Sequence, residues 1–311
     1  MAKTPVLFIV FNRPDTTQKV FDAIRKAQPS KLFIAADGPR KNKEGEEERC
    51  RRVRTIVSEV DWPCEVSTLY RDKNLGCGLA VSGALNWFFE HNEEGIILED
   101  DCVPHPDFFT FCSEMLEYYR HNDKIISISG CNLGYRFNIN KSYAYSRFMN
   151  MWGWATWRRA TVKIDYRMED WKQQKNKLFT TYRLLRQNVF DGDINWYKLW
   201  REKFDKVSAD RNFTWDWQWS YYQLGHKLLS VVPAKNLVTN IGFHNEATHT
   251  LAENNPSANI PAVAMEFPLV HPDKIIPDFG YEEKAVKYTW CYHRRMPLKN
   301  YLMNRVLDYL H

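Results

Sequence analysis

Residues 96–101 of this chain read IILEDD, an apolar run that changes at once to three consecutive acids. Short apolar runs with β-branched residues are typical of strands covered on both faces. Three further runs precede it, VLFIVF at 6–11, LFIAA at 32–36 and EVSTLY at 65–70, and helical patterns separate them. Strands that alternate with helices predict an α/β fold with a mostly parallel sheet flanked by helices.

The second half of the chain has sparser strand signals. Residues 124–129 and 228–232 have the pattern of short strands, and residues 182–189 and 196–204 have helical periodicity. The sequence contains no internal repeat and no Gly- or Ser-rich linker that would divide it. We therefore expect one domain that continues well beyond the acidic triplet.

Length and composition are those of a globular protein. The 311 residues are 44% hydrophobic and 26% charged, which excludes a disordered or collagen-like chain. The net charge of +5 is small and lies entirely in residues 284–311, which contain six Lys and Arg and one Asp. Residues 1–283 have no net charge, which gives no reason to expect a nucleic-acid partner.

The cysteines and the first residues bear on the expected location. None of the seven Cys residues forms a Cys-x-x-Cys pair, so we expect reduced thiols. The apolar run at 6–11 is shorter than a secretory signal or a membrane span requires. These features predict a cytoplasmic protein.

The acidic triplet at 99–101 predicts a metal site. Ligands of open α/β sheets bind beyond the carboxyl ends of the strands, and a divalent cation would relieve repulsion among three acids there. Carboxylate oxygens suit Mg²⁺ or Mn²⁺. An ordinary solvated acidic turn is the alternative interpretation.

Several motifs occur in a characteristic order around this triplet. They are FNRP at 11–14, DG at 37–38, RDKNLG at 71–76, LEDD at 98–101 with Pro104, Asp107, Phe108 and Phe109 beyond it, GWATWR at 153–158 and WDW at 215–217. With these motifs the chain resembles the GT-A type nucleotide-sugar glycosyltransferases, within them the inverting N-acetylglucosaminyltransferase I group and related bacterial enzymes. The resemblance covers roughly residues 5–250 and implies a Rossmann-like GT-A fold.

The resemblance also implies a domain organisation. Residues 1–283 would form the GT-A catalytic domain, with a nucleotide-sugar-binding half at about 1–104 and an acceptor half at about 105–250. Residues 284–311 would form a basic, aromatic, helical tail.

The family's acidic motif suggests roles for the triplet. By similarity, Asp101 binds the metal directly, whereas Glu99 and Asp100 hold the base or ribose side of the nucleotide. A late histidine of such enzymes often returns to the metal, which points to His249 rather than His244. The expected cofactor is Mn²⁺ or Mg²⁺, which stabilises the departing diphosphate.

Four more residues are expected to bind the nucleotide sugar. Asp37 resembles the carboxylate that reads the uracil ring, and Arg13 the cation near the ribose or phosphates. Arg71 or Lys73 can add positive charge near the diphosphate, although a solvated loop charge is the open alternative for both.

Asp216 is the candidate general base. An inverting transfer needs one carboxylate to take the proton of the acceptor hydroxyl as that oxygen attacks the anomeric carbon. The family places an Asp-Trp pair at this point. A helix N-cap is the alternative role for Asp216, because a helical pattern follows it.

Tryptophans are concentrated between residues 152 and 219. Indole rings pack against the apolar faces of sugars and can donate hydrogen bonds to hydroxyls. By contrast, Trp196 and Trp200 have the i,i+4 spacing of a packed helix. The predicted acceptor-binding residues are Trp152, Trp154, Trp157, Trp215 and Trp217.

The tail mixes basic and aromatic residues. Its 301–310 segment can form a short amphipathic helix that contacts an anionic membrane surface at the inner face of the membrane. The alternative is a C-terminal helix that packs on the domain.

Together these features predict a metal-dependent inverting glycosyltransferase. It would move a sugar from a nucleotide diphosphate donor, expected to be a UDP-sugar, to a hydroxyl of a glycan or lipid-linked glycan. One alternative is a non-catalytic carbohydrate-binding protein, which the tryptophans alone would permit. Another is a nucleotidyltransferase on a similar sheet, but that class needs a Gly-rich loop after the first strand and FNRP has no glycine.

Overall fold

The structure is a computed structural model that describes residues 3–135, 137, 140–178, 180, 184, 190, 193–243, 258–290 and 292. The strands are β1 (Val6–Val10), β2 (Lys31–Ala36), β3 (Glu65–Tyr70), β4 (Glu94–Glu99), β5 (Cys102–Pro104), β6 (Ile125–Ser129), β7 (Tyr143–Ser146), β8 (Trp154–Trp157), β9 (Leu229–Pro233) and β10 (Val238–Asn240). The helices are α1 (Pro14–Ala27), α2 (Glu46–Ser58), α3 (Cys77–His91), α4 (Pro106–Tyr118), α5 (Arg158–Thr161), α6 (Glu169–Gln174), α7 (Ile194–Ala209), α8 (Asp216–Gly225) and α9 (Phe279–Lys284), and a π-helical turn follows at Ala285–Thr289.

Eight strands form one sheet in the order β3-β2-β1-β4-β8-β6-β9-β7. The first four strands in this order are mutually parallel, and only β8 and β7 run against them. β5 and β10 form a separate antiparallel pair. The predicted α/β, Rossmann-like, mostly parallel sheet flanked by helices is therefore confirmed.

Strand β1 lies at the centre of the parallel half. Its Phe8 is opposite Ile34 of β2 on one side and Leu98 of β4 on the other. Because side chains alternate along a strand, Phe8 packs with α1 on one face of the sheet, whereas Leu7 packs with α3 on the other. Coverage on both faces explains why these strands are apolar throughout.

Strand β8 is the main departure from the sequence prediction. Trp154 and Trp157 were expected to line an acceptor site, but the segment Trp154–Trp157 is a fully buried strand between β4 and β6. Its neighbours are distant in sequence, so local patterning did not indicate the pairing. β7, which ends the sheet beside β9, was likewise not predicted.

A third hydrophobic cluster lies beside the two faces of the sheet. We call it the tryptophan cluster, and it comprises Phe148, Trp171, Trp196, Trp200, Phe204, Trp217 and Trp290 together with smaller apolar residues.

The C-terminal segment is attached to the sheet by a buried ion pair. At the end of β7, Arg147 Nε donates to Glu282 Oε2 of α9 at 2.8 Å, and the Arg147 backbone N–H donates to Glu282 Oε1 at 2.6 Å. Neither side chain is more than 8% exposed. This pair holds the segment that brings Trp290 into the tryptophan cluster. The predicted helical character of the C-terminal region is confirmed for 279–289, and the 301–310 segment lies outside the described residues.

No helix in the described ranges is long and apolar enough to cross a membrane.

Candidate functional site

A cleft of about 510 Å³ lies at the carboxyl edge of the parallel strands. Ligands of open α/β sheets bind at this edge, where loops from several strands meet. The cleft is lined by the loops after β1, β2, β3 and β4, by the start of α3 and by the segment before α8. The polar lining residues are Arg13, Asp37, Arg40, Arg71, Asn74, Glu99, Asp100, Asp101, Asn212, Thr214, Asp216 and Asn240.

Arg13 is paired with the acidic triplet. Its Nη1 donates to Asp101 Oδ2 at 2.9 Å and lies 3.6 Å from Asp100 Oδ1. The Phe11 backbone N–H donates to the other oxygen of Asp100, Oδ2, at 3.2 Å. The loop after β1 is thus bonded to the loop after β4, as expected for neighbouring parallel strands.

The triplet carries more negative charge than Arg13 offsets. Burial raises the pKa of Glu99 well above its ordinary range, and the charges of Asp101, Asp100 and Asp216 raise it further. Burial also raises the pKa of Asp100 to about 7, although the charge of Arg13 opposes this shift. Crowded carboxylates of this kind occur at sites that receive a cation.

The chemistry of these donors fits a hard divalent cation such as Mn²⁺ or Mg²⁺, since they are carboxylate oxygens with uncompensated charge. Within the described ranges, no group of three or more His, Cys, Asp or Glu is arranged to hold a metal ion. Asp101 could therefore supply only part of a coordination shell, and the bound ligand or other residues would complete it.

Gly242 allows the backbone to pass very close to Asp101. A Cβ at residue 242 would lie 2.1 Å from Asp101 Oδ2, and the Ile241 N–H donates to the Asp101 carbonyl at 2.8 Å. Ile241 and Gly242 therefore lie directly beside Asp101. His244 and His249 lie outside the described residues, and the metal role of His249 stays a prediction.

Asp37 organises the loop after β3. Both its oxygens accept from the Leu75 N–H at 3.1 Å, and Oδ2 also accepts from Asn74 Nδ2 at 3.0 Å. Burial raises the pKa of Asp37, although these backbone hydrogen bonds oppose the shift. Asp37 lines the cleft and also fixes its shape.

The two cations after β3 have different surroundings. Arg71 is half-buried and lines the cleft, and the space for its guanidinium exists because residue 83 is glycine, whose Cβ would lie 2.9 Å from Arg71 Nη2. Lys73 is exposed and lies instead in a neighbouring surface hollow with Lys41 and Lys43, which shares Arg40 and Asn74 with the cleft. The structure thus brings Arg71, but not Lys73, to the cleft.

Asp216 lines the same cleft as the triplet, and its charge is one of those that act on Glu99. It is the first residue of α8, and the N-cap position belongs to Trp215. The hydroxyl of Thr214 donates to Asp216 Oδ1. The N-cap alternative is therefore wrong, and the carboxylate is available to the cleft.

Only two of the five predicted acceptor tryptophans line the cleft, Trp152 and Trp215. Trp154 is 1% exposed and stacks behind Trp215, with ring centroids 5.7 Å apart. Trp157 lies in the core on the other face of the sheet, where its Nε1 donates to the Leu116 carbonyl at 3.2 Å. Trp217 belongs to the tryptophan cluster.

Sequence reasoning missed Arg40, Asn212 and Thr214 as lining residues. Each is close in sequence to a residue that was singled out, Arg40 to Asp37 and the other two to Asp216. Proximity to a motif was the available signal, but the direction of each side chain depends on tertiary packing. For instance, a Cβ at Gly78 would lie 1.9 Å from the Arg211 carbonyl, so only glycine lets α3 approach this segment.

Comparisons with known proteins find no match to any family model and no match among curated proteins. Among solved structures, HddC from Yersinia pseudotuberculosis is similar with a TM-score of 0.31 and 8% identity, over 50% of this chain and 77% of that protein. The 4-diphosphocytidyl-2C-methyl-D-erythritol synthase from Anaerococcus prevotii gives a TM-score of 0.32 and 9% identity, over 56% and 80% respectively. Mouse xyloside xylosyltransferase 1 gives a TM-score of 0.37 and 11% identity, over 74% and 84%.

Proposed function

We propose that this protein is a metal-dependent inverting glycosyltransferase of the GT-A type. It transfers a sugar from a nucleotide diphosphate donor, expected to be a UDP-sugar, to a hydroxyl of a glycan or lipid-linked glycan. The observation that carries the proposal is a single cleft at the carboxyl edge of the sheet. An acidic triplet paired with Arg13 lines this cleft together with the carboxylate of Asp216.

The triplet side of the cleft suits the donor diphosphate. As the sugar–phosphate bond breaks, negative charge accumulates on the leaving diphosphate, and a cation held by Asp101 would stabilise it. Arg13, bonded to Asp101 and Asp100, is placed to add a fixed positive charge beside that cation. Arg71 supplies a second cation from the loop after β3.

The part of the cleft formed by Thr214, Trp215 and Asp216 suits the acceptor. In the proposed reaction Asp216 takes the proton of the attacking hydroxyl, and that oxygen displaces the diphosphate from the anomeric carbon. Thr214 orients the Asp216 carboxylate by donating its hydroxyl hydrogen. Trp152 and Trp215 provide apolar surface nearby for a sugar ring.

Calorimetry with UDP-, GDP- and dTDP-sugars, each with and without Mn²⁺, tests the donor side. We expect one nucleotide to bind, to bind more tightly with Mn²⁺, and to lose that Mn²⁺ dependence in Asp101→Asn. Binding of free sugars that is indifferent to Mn²⁺ would indicate a carbohydrate-binding protein instead. Release of pyrophosphate from a nucleoside triphosphate and a sugar phosphate would indicate a nucleotidyltransferase.

The Asp216→Asn variant tests the acceptor side. We expect unchanged donor affinity and a loss of transfer of about 10³-fold, the scale of a missing general base. Asp15→Asn is the matched control, because Asp15 is an exposed carboxylate in the first turn of α1. Transfer at the wild-type rate in Asp216→Asn would remove Asp216 as the base while leaving the donor site intact.

A further inference from the structure

Glu46 is a fully buried carboxylate at the start of α2. Its Oε1 accepts from Asn12 Nδ2 at 2.9 Å, and its Oε2 accepts from the Arg40 backbone N–H at 2.6 Å. The Arg40 guanidinium donates to both oxygens, through Nε at 3.1 Å and Nη2 at 2.5 Å. Glu46 thus joins the loop after β1 to the loop after β2 at the edge where the cleft lies.

Burying a carboxylate is costly unless hydrogen bonds satisfy it. Although burial opposes ionisation here, the hydrogen bonds from Arg40 and Asn12 hold the pKa of Glu46 below its ordinary value. The ionised form of Glu46 is therefore favoured, and its hydrogen bonds are made with these two loops, while Arg49 Nη2 of α2 lies 4.0 Å from its Oε1. The roles proposed above for the triplet and Asp216 do not account for it.

Arg40 is the member of this ion pair that lines the cleft. Its guanidinium lies over the ring of Phe11, with Cζ 5.5 Å from the ring centroid, and both residues line the cleft. Glu46 engages one edge of the guanidinium, and the Arg40 side chain is still 43% exposed. A planar cation on an aromatic face, fixed at one edge and open at another, can stack on a base and donate to its carbonyl oxygens.

Arg40 follows β2, whereas the triplet follows β4, and β1 lies between these two strands. The strands that lead into the two loops are thus two strand spacings, about 10 Å, apart. Arg13 is the arginine that bonds the triplet, whereas Arg40 bonds Glu46. Asp37 lines the cleft with Arg40, and Asn74, which donates to Asp37 Oδ2, lines both the cleft and the surface hollow that also contains Arg40.

We propose that Arg40 recognises the nucleobase of the donor and that Glu46 is the positioning residue that fixes its guanidinium for this purpose. This inference rests on the proposed function, since it assigns the base end of the same nucleotide site. It makes Arg40 a determinant of which nucleotide the protein accepts.

The test measures the affinity of UDP, CDP, GDP and dTDP by calorimetry, for the wild type and for Arg40→Ala, Arg40→Lys and Glu46→Gln. In Arg40→Ala we expect the dissociation constant of the preferred nucleotide to rise about tenfold, with less change for the others, so that base selectivity falls. Arg40→Lys should not restore selectivity, because an ammonium lacks the planar fork. Glu46→Gln should lose selectivity in the same direction as Arg40→Ala.

Two matched controls and one ligand series separate base recognition from general effects. Lys41→Ala removes a neighbouring cation that does not line the cleft, and Glu47→Gln changes an exposed neighbour of Glu46; both should bind like the wild type. The fold-loss in Arg40→Ala should be the same for uridine, UMP and UDP if UDP is the preferred nucleotide. A loss that grows with the number of phosphates would overturn the proposal in favour of a phosphate contact.

The failure of this inference can be distinguished from the failure of the proposed function. If the wild type binds none of the four nucleotides, the proposed function is wrong. If the wild type binds one of them and Arg40→Ala keeps its affinity and selectivity, Arg40 does not recognise the base. Glu46→Gln with normal thermal stability and wild-type selectivity would remove Glu46 as the positioning residue.

Discussion

The cleft and the tryptophan cluster use buried side chains for opposite purposes. In the cleft, three acids lie together beside one arginine, and the raised pKa values of Glu99 and Asp100 mean that folding works against their charge. In the tryptophan cluster, large rings pack edge-to-face or stacked around Trp200, an arrangement that stabilises the fold. The aromatic-rich region therefore supplies stability, whereas the small polar region holds charge at a cost in stability.

The largest expected effect comes from opening the tryptophan cluster. Trp200 is 2% exposed and contacts six other aromatic rings, those of Phe148, Phe190, Trp196, Phe204, Trp217 and Trp290. We expect Trp200→Ala to lower the free energy of unfolding in urea by about 4 kcal/mol, because it leaves a large cavity. Nucleotide affinity of the remaining folded protein should be unchanged.

Val162→Ala is the control for this variant, because Val162 is 71% exposed and its truncation should change stability by less than about 0.5 kcal/mol. A Trp200→Ala protein as stable as the control would show that the cluster is not a stability core. A stable variant that lost nucleotide affinity would instead connect the cluster to the cleft.

A substitution in the cleft should raise the free energy of unfolding instead of lowering it. The pKa of Asp100 is about 7 in the folded protein, raised from 3.8, so its ionised form favours unfolding. Stability contributed by this group is therefore complete below about pH 4 and is lost as the pH rises toward 7. In EDTA, we expect Asp100→Asn to be more stable than the wild type at pH 8 by about 2 kcal/mol, and no more stable at pH 4.

Urea titrations at pH 4, 6 and 8 measure this difference. Asp61→Asn provides the control, since that carboxylate is 65% exposed and its removal should give a difference that changes little with pH. If the difference in free energy of unfolding between Asp100→Asn and the wild type were the same at all three pH values, ionisation of Asp100 would not destabilise the fold. The same variant should lose Mn²⁺-dependent nucleotide binding. That result would show that the carboxylate that destabilises the fold is also needed for the proposed function.

The two regions also differ in how far they could be predicted from the sequence. The runs at 6–11 and 32–36 correspond closely to β1 and β2, because burial on both faces leaves a continuous apolar pattern. The run at 65–70 corresponds to β3, an edge strand whose side chains are mostly exposed and whose sequence is accordingly mixed. The order of these strands brings their carboxyl ends together, which is why Arg13 and Asp101 could be placed at one edge. Asp216 could be expected nearby only through the family resemblance.

The tryptophans show where sequence reasoning ended. Trp152, Trp154 and Trp157 follow one another within six residues, yet one lines the cleft, one stacks behind it and one lies on the other face of the sheet. Their separation results from β8, whose pairing with β4 and β6 is long-range. The contact between Arg40 and Glu46 was missed because nothing in the charge pattern of 40–54 distinguishes a buried acid from its exposed neighbours.

The smallest predicted effect concerns the support of Asp216 by Thr214. Replacing this threonine with valine keeps the shape of the side chain and removes the hydroxyl that donates to Asp216 Oδ1. We expect Thr214→Val to lower kcat about fivefold, the scale of one lost hydrogen bond, and to leave KM for the donor unchanged. Thr214→Ser should retain most of the activity, because it keeps the hydroxyl.

A double-mutant cycle distinguishes orientation of Asp216 from a general disturbance of the cleft. If Thr214 acts only through the carboxylate, Thr214→Val should have no further effect on the residual transfer of Asp216→Asn, since the group that it orients is already lost. Additive effects would mean that Thr214 contacts the substrates or shapes the cleft by itself. Thr55→Val, which removes an exposed hydroxyl bonded to the Arg51 carbonyl, should change neither rate. Together these rates would show whether transfer depends on the orientation that Thr214 gives to the Asp216 carboxylate.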